Sequence, residues 1–275
     1  MIEFCVFIIS HGRPELRMTE DKIRDGGYTG RIIYVVDDTD ETIEQYYANH
    51  GASNVFCFSK RFVANESDRM DNFGSLRATL YVRNEMWNIA KELGVEAFLV
   101  LDDDYYYFGH RGEYGAKKTS NLDLIFKWFV EYLKSTTIKC LAFSQGGDHI
   151  GGYDDGVLCK RKVMNSFFCL TSRPFKFYGS MNDDVNAYIH NGSVGDVYLT
   201  FMPFQLDQTD TQKCEGGLTE AYKLSGTYQK SFYSIMIAPS CVSIRLMGCV
   251  SPRLHHSIKW DNVTPCIINE RYKKE

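Results

Sequence analysis

What this 275-residue sequence lacks already narrows its chemistry. No apolar run approaches the length of a membrane span, so no membrane role is expected. Its nine cysteines are odd in number and contain no Cys-x-x-Cys pair. That argues against a zinc site or a disulfide framework and for a reducing, cytoplasmic setting. There is no repeat, low-complexity tract or long linker, so one domain over 1–275 is expected. Net charge is −4 and the pI about 6.0, which gives no global sign of nucleic-acid binding; such a role would need a local patch. The opening Phe4-Cys5-Val6-Phe7-Ile8-Ile9 lacks a basic leader and a cleavage site, and reads as a first strand. The glycine-rich stretch Gln145 to Gly152 lacks the Lys-Ser/Thr of a P-loop and does not match the dinucleotide fingerprint. It reads either as an active-site or acceptor loop or as a plain connection.

What is present starts with a core: 44% hydrophobic and 14% aromatic residues describe a globular chain. The stretch Glu96 to Leu101 is a short apolar run of the kind that forms a buried strand. It ends in three carboxylates, Asp102, Asp103 and Asp104, followed by Tyr105, Tyr106, Tyr107 and Phe108. Bunched carboxylates repel one another unless a cation joins them. Hard oxygen ligands suit Mg²⁺ or Mn²⁺ held together with substrate phosphates. The bland alternative is a polar turn.

The first half alternates strand and helix. Strands are expected at 3–10, 31–36 and 54–58, with helices at 15–25, from about 40 to 49, and at 75–93. Pro14 suits the first helical position, Thr39 or Asp40 can cap the second helix, and Gly51 ends it. Such alternation implies a mainly parallel sheet that binds ligands at its strand ends. Ser10 and Arg13, Asp37 and Asp38, and Asp102 to Asp104 all fall at such ends. Beyond 120, an amphipathic helix at 121–135 carries Leu122, Ile125, Phe126, Phe129 and Leu133 on one side. Strands at 138–143 and 165–171 and a short helix after Asp184 follow.

Taken together, Ile9-Ser10-His11-Gly12-Arg13-Pro14, Asp37-Asp38, Arg83-Asn84 in a helix, and Asp102-Asp103-Asp104 resemble the nucleotide-sugar half of a GT-A glycosyltransferase. The resemblance implies an α/β fold: a GT-A-like, Rossmann-like, mainly parallel sheet flanked by helices. About 1–120 would be the nucleotide-sugar half, and about 121–275 a mixed α+β acceptor half with a C-terminal metal-ligand segment. Ser10, Arg13, Asp37, Asp38, Arg83, Asn84, Asp102 and Asp103 would contact the donor, a UDP-sugar. Asp104 would be the main ligand of Mn²⁺ or Mg²⁺, with Asp102 a ribose or metal contact. Gly179-Ser180-Met181-Asn182-Asp183-Asp184 resembles the acidic motif that supplies a general base, Asp184 or else Asp183. Arg253-Leu254-His255-His256 resembles a C-terminal histidine metal ligand. The second strand ends in Asp-Asp-Thr-Asp, where many members have Asp-Asp-Gly-Ser.

More narrowly, the chain resembles the phage branch related to TET-associated glycosyltransferases, which place sugars on 5-hydroxymethylated pyrimidines in DNA. The resemblance includes Gly216-Gly217-Leu218 and Gly226 to Ser231. A double-stranded DNA partner needs positive surface. Residues 156–178 offer Lys160, Arg161, Lys162, Arg173 and Lys176 with no acid. The aromatics interleaved with them read mostly as core. Lys117-Lys118 and the tail Arg271 to Lys274 could extend the patch. A protein, lipid or saccharide acceptor is the alternative, and a catalytically dead binding module a third reading. A monomer or weak dimer is expected.

Overall fold

The structure is a computed structural model that describes residues 3–149, 157–158, 166–209, 228–247, 252–263 and Glu270. Its first half runs β1 (Phe4–Ile9), α1 (Met18–Asp25), β2 (Arg31–Asp37), α2 (Ile43–His50), β3 (Val55–Phe58), α3 (Lys60–Glu66), α4 (Leu80–Glu92) and β4 (Ala97–Asp102). The hairpin β5 (Tyr105–Gly112) and β6 (Gly115–Lys118) follows, then α5 (Leu122–Ser135) and β7 (Cys140–Ser144). Next come β8 (Val157–Leu158), β9 (Ser166–Leu170), α6 (Asp183–Ser193) and β10 (Tyr198–Gln208). The described C-terminal elements are α7 (Tyr228–Ile237), β11 (Val242–Met247), β12 (Arg253–Ile258) and α8 (Trp260–Val263).

Ten strands form one sheet in the order β3-β2-β1-β4-β9-β7-β10-β5-β6, with β8 on β10. The β3-β2-β1-β4 half is parallel, so these strands end along one edge. β9 enters antiparallel to β4, β10 runs parallel to β7, and β5 turns back antiparallel along β10. The expected α/β class, a sheet flanked by helices, is the one observed. β11 and β12 form a separate two-stranded ribbon.

Both sheet faces are covered, as a strand with no polar alternation requires. On one face Phe7, Val35, Phe98 and Val100 pack with Met86, Trp87 and Ala90 of α4. On the other, Val6, Tyr34, Leu99 and Leu101 pack with Phe126, Phe129 and Leu133 of α5. Phe129 is fully buried among Phe143, Phe168, Phe201 and Phe204. Truncating it to alanine would cost about 3–5 kcal/mol.

Two helices start later than the periodicity alone implies. Pro14 opens a turn closed by Leu16 N–H donating to Arg13 O, and α1 begins only at Met18. Its Thr19 hydroxyl donates to Asp102 O and accepts from Tyr105 N–H, which ties α1 to the acid-tipped strand end. Helix α4 begins at Leu80, because the chain before it straps against α6. Gly179 and Ser180 donate their amides to Asp68 and Arg69, and the Tyr81 hydroxyl donates to Ser75 O. The second helix starts from Thr42, not Thr39 or Asp40; the amide and hydroxyl of Thr42 donate to the Asp40 carboxylate in the preceding turn, and Gly51 ends the helix at φ +82°.

Candidate active site

The end of β1 meets the acid tip first. Ser10 Oγ donates to Asp103 Oδ2 at 2.5 Å and shares a 2.7 Å bond with Tyr46 Oη. Arg13 Nη2 lies 2.7 Å from Asp103 Oδ1, and Arg13 N donates to Tyr46 Oη. Asp103 is 1% exposed. Burial pushes its carboxyl up to about 6, against the pull of Arg13 and Ser10. The middle acid of the triplet therefore points inward and fixes the Ser10–Arg13 loop.

The end of β2 is equally committed. The buried Asp37 carboxylate takes His11 Nδ1 at 2.9 Å and Lys60 Nζ at 2.9 Å, together with the Thr39 hydroxyl. Burial raises its carboxyl, but these donors outweigh burial and hold it well below the ordinary carboxylate range. Asp38 accepts from Ser59 Oγ and Lys60 N, which caps α3. The half-exposed ring of His11 is thus the group this corner presents outward. The sequence reading passed over His11, although it lies inside the Ser10–Pro14 turn that was singled out.

At the tip of β4, Asp102 and Asp104 converge on one atom. Gln208 Nε2 donates to Asp102 Oδ2 at 3.1 Å and to Asp104 Oδ1 at 2.9 Å. Burial pushes the Asp102 carboxyl up to about 7, opposed chiefly by Arg83, and burial likewise raises Asp104. No sequence signal marked Gln208. Its place depends on the antiparallel pairing of β10 with β5, which sets Gln208 opposite Tyr105 after a register shift.

Arg83 joins this tip to α6. The residue is 4% exposed, with its guanidinium between the rings of Phe167 and Phe177. Nη1 reaches both Asp183 oxygens at 3.0 and 2.9 Å, and Nη2 lies 3.8 Å from Asp102 Oδ1. Burial works against its charge, but Asp183, Asp102 and Asp184 outweigh it and hold the guanidinium firmly protonated. Thr79 Oγ1, just before α4, adds a hydroxyl to Asp183.

Helix α6 starts abruptly from Asn182 in the left-handed region at φ 55°. Its side chain holds that turn by donating to Lys230 O and Ser234 Oγ and by meeting His256 Nδ1 at 3.0 Å. Asp183 is thereby buried against Arg83. Asp184 is half-buried and makes no hydrogen bond among the described residues. Of the two acids, Asp183 is the one hydrogen-bonded to Arg83. His256 stands beside the α6 start, and His255 Nδ1 bonds to His256 O.

Other expected residues lie elsewhere. Asn84 grips the backbone of Phe177 from both ends of its amide, which braces the 175–178 segment. Arg173 Nη1 donates to the carbonyls of Leu133, Thr136 and Ile138, closing the C-terminal end of α5. The register of β9 explains this, because Leu170 pairs with Ala97, at the start of β4, whereas Ser166 pairs with Leu101, near the acids. Lys176 is exposed, and its carbonyl accepts from Asn191 near the end of α6. Lys160, Arg161 and Lys162 lie outside the described residues, as do Gly216 to Leu218 and the tail. Phe167, Phe168, Phe175 and Phe177 are core. The glycine-rich stretch forms a short turn, Gly146–His149, with His149 buried against Ser144 Oγ; its remainder is outside the described residues.

The donor set fits a divalent cation. Asp102 and Asp104 aim two carboxylates at a common point, a hard-oxygen pair of the kind that holds Mg²⁺ or Mn²⁺ with water and phosphate completing the shell. No cage of three or more His, Cys, Asp or Glu side chains forms among the described residues. No helix among them is long and apolar enough to cross a membrane.

Comparison with solved structures gives distant likenesses. A mycobacterial protein is 9% identical at a TM-score of 0.47, covering 94% of this chain and 84% of its own. Residues 1–349 of S. aureus TarS, in complex with UDP-GlcNAc, are 14% identical at 0.44, covering 86% and 66%. A second S. aureus TarS structure is 13% identical at 0.44, covering 84% and 44%. The chain thus spans 66% and 44% of these two TarS chains. No curated protein matches it. The model of the TET-associated glycosyltransferases matches residues 4–217, most of the chain and every strand of the large sheet. The chain belongs to the TET-associated glycosyltransferase family, and it is a glycosyltransferase.

Proposed function

We propose that this enzyme moves a sugar from a UDP-sugar to 5-hydroxymethylcytosine in double-stranded DNA. The acceptor is the hydroxymethyl group or a sugar already attached to it. The observation that carries this reading is the placement of two acidic sets against one buried cation. Arg83 Nη2 faces Asp102 of the acid tip that also carries Asp104, and Nη1 holds Asp183, beside Asp184 at the start of α6. Glycosyl transfer needs two such sets. As the bond from the anomeric carbon to the diphosphate breaks, negative charge gathers on the leaving group. The acceptor oxygen, forming the new bond, must lose its proton.

In this reading residues 1 to about 120 hold the donor, with Arg13 and the His11–Asp37 corner at its mouth, and the remainder builds the acceptor side. Mn²⁺ or Mg²⁺ held by Asp102 and Asp104 would neutralise the departing diphosphate. Asp184 accepts the proton of the attacking hydroxyl. Arg83 and Asp183 position that acid, and the ion pair keeps Asp183 out of proton transfer. Lys160, Arg161 and Lys162 are proposed to meet the DNA backbone.

Nucleoside mass spectrometry tests the substrate. Hydroxymethylcytosine duplex is incubated with a panel of UDP-sugars and Mn²⁺. A hexose or pentose mass gain on that nucleoside is expected, and its loss in Asp104→Asn. If every DNA arm stays unmodified while a protein, lipid or saccharide acceptor is glycosylated, the acceptor is one of those.

A further inference from the structure

A second polar site lies on the same domain, away from the acids. A cavity of about 230 Å³ opens between α1, α2 and the start of β2. Arg17, Arg24 and Arg31 line it with Glu20, Tyr34 and His50. Tyr34, the lining residue of β2 nearest the ligand-binding edge, stands three residue steps, about 10 Å of strand, from Asp37.

The groups facing the cavity are unequally satisfied. Glu20 Oε2 accepts from Tyr34 Oη at 3.0 Å and lies 3.4 Å from Arg17 Nη2. Arg24 Nη1 donates to the carbonyls of Tyr28 and Gly30. Arg31 makes no side-chain hydrogen bond or ion pair among the described residues. The lining therefore carries three guanidinium charges against one carboxylate.

His50 adds a second, independent observation. Its side chain is 2% exposed and its ring stacks on Tyr34 at 3.8 Å. Nε2 bonds to Pro14 O at 3.0 Å. A carbonyl only accepts, so Nε2 carries a proton. Nδ1 is buried without a hydrogen-bond partner, and Glu20 Oε2, at 3.8 Å, can only accept. A ligand that satisfies this wall must bring negative charge to the arginines and a hydrogen-bonding oxygen to Nδ1.

We propose that the cavity bounded by Arg17, Arg31 and His50 binds inorganic phosphate or a phosphate monoester. Such a group has at least three free oxygens, enough to meet the guanidiniums and to place one oxygen at His50 Nδ1. A phosphodiester of a nucleic-acid backbone has only two free oxygens and a single charge, so it meets this wall less completely. The site is separate from the reading of the acidic centre and does not depend on it.

The test uses the whole chain in EDTA, which keeps divalent metal away from the acids. Inorganic phosphate is titrated by calorimetry and followed by ³¹P NMR. One-to-one binding is expected. It should weaken roughly tenfold or more in Arg31→Gln, whose surface side chain can be changed without disturbing the core, and stay unchanged in Arg13→Gln. The His50 imidazole ¹⁵N signal should move on saturation. Dimethyl phosphate, the diester probe, should bind at least about tenfold more weakly. Three results overturn the proposal: no binding at about 10 mM phosphate, binding indifferent to Arg31→Gln, or dimethyl phosphate or duplex DNA competing on equal terms.

Discussion

Arg83 and Asp183 form a two-pronged ion pair in the interior, both carboxylate oxygens lying 3.0 and 2.9 Å from one guanidinium nitrogen. Both side chains are 4% exposed, so neither can turn to water if the other is removed. Arg83→Met should lower stability by about 3–5 kcal/mol, because it strands a buried carboxylate. Denaturant unfolding would measure this. Adding Asp183→Leu to Arg83→Met should recover much of that loss, since no charge is then stranded, but should leave turnover low.

The proposed base is Asp184, whose side chain makes no hydrogen bond to Arg83. Asp184→Asn should reduce turnover roughly 10²–10⁴-fold with donor affinity kept. Asp183→Asn should instead show its main effect in unfolding curves. Initial rates and donor titrations on the two variants separate the roles. A larger kinetic loss for Asp183→Asn, with stability intact, would exchange them.

Chelation should abolish activity, and Mn²⁺ or Mg²⁺ should restore it. Asp104→Asn should retain the fold, since it removes a charge from a crowded strand end, and lose the restoration. Gln208→Leu takes away the amide between the two carboxylates. Without metal it should be less stable than wild type, by about 1–3 kcal/mol, and added Mn²⁺ should narrow the gap. Melting curves with and without metal read this out.

Acid should weaken the β2 corner in a defined direction. The Asp37 carboxyl is held low in the folded chain, so its contribution is present above the ordinary carboxylate range and is lost as pH falls below it. Asp37→Asn should flatten this part of the stability profile between about pH 5 and 3. Lys60→Met should lower stability at neutral pH and also reduce the acid sensitivity. A pH series of urea midpoints would show both.

Arg173 and the 160–162 cluster should separate in their effects. Neutralising Lys160, Arg161 and Lys162 together should weaken duplex binding and flatten its salt dependence by about one unit of log–log slope per contact. Arg173→Gln should leave DNA affinity unchanged and cost about 1–3 kcal/mol of stability, because three carbonyls lose a charged donor.

The parallel half and the acids at its edge were legible because β1, β2 and β4 are buried on both faces. They read as unbroken apolar runs with polar ends. The second half hid its pairing. β10 carries Pro203 and a three-residue register shift between Phe201 and Gln205, so neither period nor composition announces where Gln208 lands. Arg173 looked like a neighbour of the lysines before it. Only the antiparallel sense of β9 carries it to the opposite sheet edge. His11 and Arg83 were visible as residue types, but their partners lie 26 and 100 positions away.

The outer strands of the large sheet bear on how copies of this protein behave when crowded. β3 and β6 each have four residues, too short to template a long foreign strand. Every residue of β6 is solvent-facing, and two of its four are Lys117 and Lys118. A strand added there would have to set its backbone beside two ammonium groups and desolvate them. A ten-stranded sheet is thereby kept from growing laterally into a fibre. Exchanging both lysines for valine would leave the fold's interior untouched while turning that rim into a sticky one.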